Sequence, residues 1–124
     1  MADNKKSVLI IDNSLLVIER ITMILKELNI LKSISFAENY DTAIEILSKK
    51  KPDIVLLEIQ LRGKNGLQLL EAIVKNYPGV KVVMLTNTAT EIYRSICKKL
   101  GASYFVDKSK EFEMIPGIIT SLSR

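Results

Sequence analysis

Short apolar runs alternate with segments of helical periodicity along the whole chain, and that alternation limits the fold more than any other feature. The central run is Asp53-Ile54-Val55-Leu56-Leu57-Glu58, bounded by Pro52 before it and by the Gly63-to-Gly66 loop after it. A continuous apolar run between breakers reads as a strand buried on both faces. Further strands are predicted at Ser7–Ile11, Ile34–Ala37, Val80–Thr86 and Tyr104–Val106. Helices are predicted over 15–28, 41–48, 67–76, 91–100 and 112–122. Leu15, Ile18, Ile21, Met23, Ile24, Leu25 and Leu28 form the apolar face of the first helix, which Asn13 or Ser14 can cap. Ala43, Ile44, Ile46 and Leu47 point inward from the second. Gly101 suits the end of the fourth helix, and Pro116-Gly117 are expected to break or delay the fifth. Residues 1–6 are polar and expected to fray. A βαβαβαβαβα order requires an α/β fold with a parallel sheet, because each parallel crossover needs a helix-length connection. With 124 residues, the chain is expected to be one domain.

In such a sheet ligands gather at the carboxyl ends of the strands. Those ends carry Asp12-Asn13, Glu58, Thr86 and Lys108. Alone, Asp12 and Asn13 read as helix caps, Thr86 as a strand residue and Lys108 as a surface lysine; their convergence makes them a candidate site. The chain has no histidine and one cysteine, Cys97. That removes histidine catalysis, an internal disulfide and a cysteine metal cluster, and Cys97 is expected to be buried and inert. No glycine-rich phosphate loop follows a strand, which argues against a nucleotide or flavin binder. An enzyme is therefore not expected. No apolar stretch approaches a membrane span and the charged start is no signal peptide, so a cytoplasmic protein without a membrane partner is expected. The net charge of +4 comes from lysines scattered along the chain, with small clusters at Lys49-Lys50-Lys51 and Lys98-Lys99. With no basic helix, helix-turn-helix segment or aromatic platform, it reads as a solvated surface, and no nucleic-acid partner is expected.

The stretches VLIIDNS, PDIVLLEIQLRGKNGLQLL, VVMLTN and GASYFVDKS resemble the receiver domain of two-component response regulators, over essentially the whole chain. LTN, YRSIC and FVDKSKEFE further resemble stand-alone, chemotaxis-type receivers. The resemblance implies a flavodoxin-like sheet of order 2-1-3-4-5 flanked by five helices, with no output domain. In that family an aspartate after the third strand takes a phosphoryl group from a histidine kinase. Carried over by motif, Glu58 stands at the phosphoacceptor position, and Thr86 and Lys108 stand where the phosphoryl oxygens are contacted. Asp12, Asn13, Glu58 and the Gln60 backbone carbonyl stand where Mg2+ is held. The implied partners are a histidine kinase or phosphotransfer protein and an output protein, with Tyr93, Lys98, Lys99 and Phe105 on the signalling face. A monomer or weak dimer is expected.

The chain departs from the pattern where it matters. Glu58 is one methylene longer than aspartate and displaces the carboxylate by roughly 1.5 Å; errors of about 1 Å can cost roughly a hundredfold in rate. Asn13 replaces a metal-binding carboxylate, which leaves Asp12, Glu58 and Lys108 as the charges of the site and implies weak Mg2+ binding. Arg62 stands where the family usually has Pro, Ser109 replaces the Pro after the lysine, and Phe105 occupies the place of a switching Tyr. The leading expectation is a receiver that is weak, silent or phosphomimetic. The alternatives are a working receiver with a tolerated change at position 58, and a constitutive protein–protein interaction module of the same fold.

Overall fold

A computed structural model describes residues 4–124. The elements are β1 (Lys6–Ile11), α1 (Leu15–Leu28), β2 (Leu31–Ala37), α2 (Tyr40–Lys49), β3 (Ile54–Leu57), α3 (Gly66–Asn76), β4 (Lys81–Thr86), α4 (Glu91–Leu100), β5 (Tyr104–Asp107) and α5 (Ile115–Leu122). All sheet pairings are parallel and the order is β2-β1-β3-β4-β5, as the resemblance implies.

The period of two along each strand divides the core into two layers. Leu9, Ile11, Val55, Leu57, Val82 and Met84 face α2, α3 and α4. Val8, Ile10, Ile54, Leu56, Val83 and Leu85 face α1 and α5. Each fully buried Leu or Ile contributes roughly 1.5–3 kcal/mol relative to exposure. β3 is buried at every position, because it lies mid-sheet with a layer on each face. Asp53 and Glu58 flank β3 but keep its ladder, through Asp53 N–H to Ser7 C=O and Glu58 N–H to Ile11 C=O, both 3.0 Å.

Several boundaries move. Lys6, expected to fray, opens β1, because β2 starts at Leu31 and supplies its partner. That earlier start is hidden in the sequence by Lys32-Ser33, exposed residues of an edge strand. The expected fraying of residues 1–3 lies outside the described residues. Ser14, not Asn13, caps α1 through its hydroxyl and the Val17 N–H. Ile18, Ile21 and Leu25 are the buried stripe of α1, whereas Leu15 and Met23 are 46% and 66% exposed. At 3.6 residues per turn Met23 lies about 200° around from Ile21 and cannot share its face. On α2, Ala43 and Leu47 are buried and Ile44 and Ile46 pack only partly. Pro116 delays α5 without breaking it: a 3-10 turn at Phe112–Met114 precedes it, and Pro116 lies in the first turn of α5, where its missing N–H forfeits no helical bond.

Candidate functional site

The strand order reverses direction between β1 and β3, and a crevice opens at their carboxyl ends. Asp12 follows β1 and Glu58 follows β3; both are buried, at 3% and 6% exposure. Burial of two carboxylates demands compensation. It comes from Lys108, just past β5, whose Nζ donates to Asp12 Oδ2 at 2.7 Å and to Glu58 Oε1 at 2.6 Å. Burial alone pulls the Lys108 pKa down; the hydrogen bonds and charges of Asp12 and Glu58 outweigh it and raise it above the ordinary lysine value. The ammonium is thus held charged between two carboxylates.

The other carboxylate oxygens are also occupied. Glu58 Oε2 accepts from the Ile59 and Gln60 N–H groups at 2.7 and 3.2 Å. Asp12 Oδ1 accepts from the Ser14 N–H at 2.9 Å. Thr86 is fully buried beside them, but its hydroxyl oxygen accepts from the Thr88 N–H at 3.1 Å. Among the described residues Glu58 bonds to Lys108, Ile59 and Gln60 and not to Thr86. The longer side chain therefore curls back on its own backbone and onto the ammonium.

Asn13 supplies a clamp that the sequence did not reveal. Its Oδ1 accepts from the Arg62 N–H at 2.9 Å and its Nδ2 donates to the Gln60 carbonyl. The Arg62 donor fixes which amide end faces Gln60. A donor is therefore directed at the carbonyl that the resemblance assigns to Mg2+. The residues present make a poor fit for a tight divalent site. Two carboxylates remain, both bonded to the single Lys108 ammonium, and the third position is an amide engaged elsewhere.

Gly66 is a second residue whose role the sequence reading missed, since it assigned Gly66 to the loop. A Cβ there would lie 2.1 Å from the Glu58 carbonyl oxygen and 2.8 Å from Ile59 Cα. Gly66 N–H also donates to Ile59 C=O at 2.7 Å. Only glycine lets α3 begin against the backbone that carries Glu58. The Asn65–Gln68 capping box starts the helix at that point. The Gly63-to-Gly66 spacing was the available signal.

On the α4–β5 side, Phe105 is half-buried with the Arg94 guanidinium 4.8 Å from its ring centre. Arg94 Nη2 donates to Glu111 Oε1 at 2.9 Å, and the Asp107 N–H donates to the same oxygen at 2.9 Å. The Arg94 hydrogen bond leads, with the Asp107 N–H, in holding the Glu111 carboxyl below its usual range. Lys98 and Phe105 line an open groove of about 370 Å³ with Arg94 and Tyr104. Lys99 is exposed nearby and Tyr93 packs against the core; neither lines that groove. Cys97 is buried, and burial pushes its thiol up to about 11. Among the described residues no helix is long and apolar enough to cross a membrane.

Residues 8–120 match the response regulator receiver domain family. A transcriptional regulatory protein, DegU of Brevibacillus brevis, is 28% identical over 91% of this chain and 48% of its own length. A protein-glutamate methylesterase/protein-glutamine glutaminase of Treponema pallidum is 34% identical over 85% of this chain and 27% of its own. The chain thus spans about half or less of these curated relatives, some of which are enzymes. The signal receiver domain of a DNA-binding response regulator from Colwellia psychrerythraea superposes with a TM-score of 0.88 at 26% identity, covering 95% of this chain and 98% of that one. A family match over nearly all the chain, on a five-stranded parallel sheet of order 2-1-3-4-5, means that the chain belongs to the receiver domains of two-component response regulators.

Proposed function

We propose that this receiver signals with Glu58 at the phosphoacceptor position and undergoes phosphotransfer weakly or not at all. One observation carries the reading: both Glu58 oxygens are engaged, one by the Lys108 ammonium at 2.6 Å and the other by the Ile59 and Gln60 N–H groups. A carboxylate used in this way is a poor nucleophile, and it stands displaced from where an aspartate would attack. Thr86 stays on Thr88, so the site reproduces only part of what a phosphoryl group would recruit. That favours a silent acceptor over a full mimic. Mg2+ binds weakly on this reading, because the Asn13 amide holds the Gln60 carbonyl.

The partners on this reading are a histidine kinase or phosphotransfer protein and an output protein. They meet the chain on the surface that carries Tyr93, Lys98, Lys99 and Phe105. The test is acetyl phosphate with Mg2+, applied to the parent and to Glu58→Asp. Labelling is expected in the variant and at most weakly in the parent; equal labelling of both sinks the silent-acceptor reading. The internally satisfied crevice also favours a second reading, a constitutive interaction module. Mg2+ titration followed by NMR separates the two: shifts at the strand ends in the millimolar range support the receiver reading, and a flat response supports the module.

A further inference from the structure

The Lys49-Lys50-Lys51 and Lys98-Lys99 clusters of the sequence converge with single lysines at the pole opposite the acidic crevice. In a parallel sheet every strand starts at one end, and the returning helices deliver their carboxyl ends there. Lys75 lies in the last turn of α3, and Lys98 and Lys99 in that of α4. Lys50 and Lys51 join α2 to β3, and Lys81 opens β4. All six are exposed.

Two contacts join them into one patch. Lys51 Nζ donates to the Pro78 carbonyl at 3.3 Å, which seats the α2–β3 connection on the α3–β4 turn. Gly101, at the end of α4, lies so close to Val74 that a Cβ would meet its methyl groups at 3.1 Å. That contact puts the end of α4 beside Lys75. Lys6 and Lys32 extend the patch along the starts of β1 and β2. Among the described residues Glu71, four positions before Lys75 on α3, and Glu45, paired with Lys49, are the acidic side chains nearest the patch on its own helices, and both lie a turn back from the pole. Asp53 is turned onto the Ser7 N–H and hydroxyl, and Glu27 lies on α1, in the other layer. Asp12, Glu38, Asp41, Glu58 and Glu91 lie at the far pole. Helix carboxyl ends favour lysine on their own account, which explains Lys75, Lys98 and Lys99. It also covers Lys50, the C-cap of α2, but does not explain Lys51 and Lys81, which lie beyond the helix ends.

We propose that this pole binds single-stranded nucleic acid through its phosphate backbone, without reading sequence. Tyr104, 39% exposed at the start of β5, shares a groove with Lys98 and offers a ring for an unpaired base. A bilayer is a poorer match. Of the large exposed apolar side chains, Leu15, Leu16, Phe36, Ile92 and Met114 belong to the far half of the molecule and Met23 to the middle of α1; Val74 and Tyr104, 38% and 39% exposed, are those at the pole, which leaves it little apolar surface to insert. The proposal runs against the expectation of no nucleic-acid partner, which rested on the lack of a basic helix. It is independent of the chemistry at Glu58.

The experiment is fluorescence anisotropy with a labelled single-stranded oligonucleotide of about 20 nucleotides, from about 50 to 200 mM salt. Affinity is expected to fall with salt, with a log–log slope of about −3 for four to five phosphate contacts. The Lys50→Gln, Lys51→Gln, Lys75→Gln, Lys81→Gln variant is expected to bind at least about tenfold more weakly, and the matching arginine variant to retain binding. Lys64→Gln with Lys110→Gln, at the other pole, should change nothing. If the glutamine variant unfolds, Lys75→Glu and Lys81→Glu singly carry the same comparison. No binding at the lowest salt, equal loss in both glutamine sets, or preferred binding to phosphatidylserine vesicles or to polyglutamate would each overturn the proposal.

Discussion

Lys108 is the residue on which the acidic crevice depends for its stability. It is about one-tenth exposed and bonded to two carboxylates that are as buried as it is. Removing one partner from such a set leaves buried charge uncompensated, which costs about 3–5 kcal/mol. Lys108→Met is therefore expected to lower the unfolding free energy by about 3 kcal/mol in denaturant titration. Adding Glu58→Gln should recover part of that loss, and a double-mutant cycle reads the coupling directly. A neighbouring change works in the opposite sense for metal. Asn13→Asp removes the amide donor from the Gln60 carbonyl and adds a negative charge, so Mg2+ affinity should rise about tenfold, or about 1.4 kcal/mol. An NMR titration with Mg2+ checks it; unchanged affinity means that the clamp does not govern the site.

The glycine that starts α3 and the clamp that joins α4 to β5 and the turn after it act through whole elements. Gly66→Ala places a methyl group against main chain on both sides of the Glu58–Ile59 peptide. Backbone cannot yield as a flexible side chain would, so a loss of about 1–3 kcal/mol is expected, with chemical-shift changes concentrated at residues 58–60. On the other side, Arg94 holds α4 to Phe105 and Glu111. The Glu111 pKa is depressed in the folded chain. Its contribution is present above the ordinary glutamate value of about 4.3 and is lost as pH falls through the depressed one. Carboxyl NMR should find the Glu111 midpoint below the ordinary value, and Arg94→Gln should move it back up. A midpoint insensitive to Arg94 would show that the Asp107 N–H alone sets it. Phe105 has no hydroxyl, so any movement of it is a packing change under the Arg94 guanidinium.

The molecule as a whole carries an acidic crevice at one end of a parallel sheet and a basic pole at the other. The raised Lys108 pKa ties the crevice to global stability. A cation with a raised folded pKa stabilises fully below the unfolded value, near 10.4, and that contribution disappears as pH rises through the folded value. The stability gap between the parent and Lys108→Met should therefore begin to close as pH rises above about 10, as read from denaturant midpoints. A gap unchanged at high pH would mean that the charge is not what stabilises. The βα alternation, the buried β3 run and the residues at the strand ends were legible in the sequence, because side-chain periodicity and chain breakers are local properties. So was the family, because its motifs are contiguous. The early start of β2 was not legible, since an edge strand exposes polar residues and loses the alternating pattern. The true buried stripe of α1 was hidden because apolar residues nearly surround it. The Asn13 clamp and the Glu58–Lys108 bond depend on residues about 50 positions apart meeting in space, and the close approach at Gly66 depends on how the loop after β3 folds back on it. By itself the sequence determined which groups are present and which strand ends carry them. The tertiary structure alone decided that Glu58 turns to Lys108 and not to Thr86. It alone brought the Lys50-Lys51 and Lys98-Lys99 pairs together with Lys75 and Lys81 at one pole, because parallel strands with returning helices bring their distant starts and ends together.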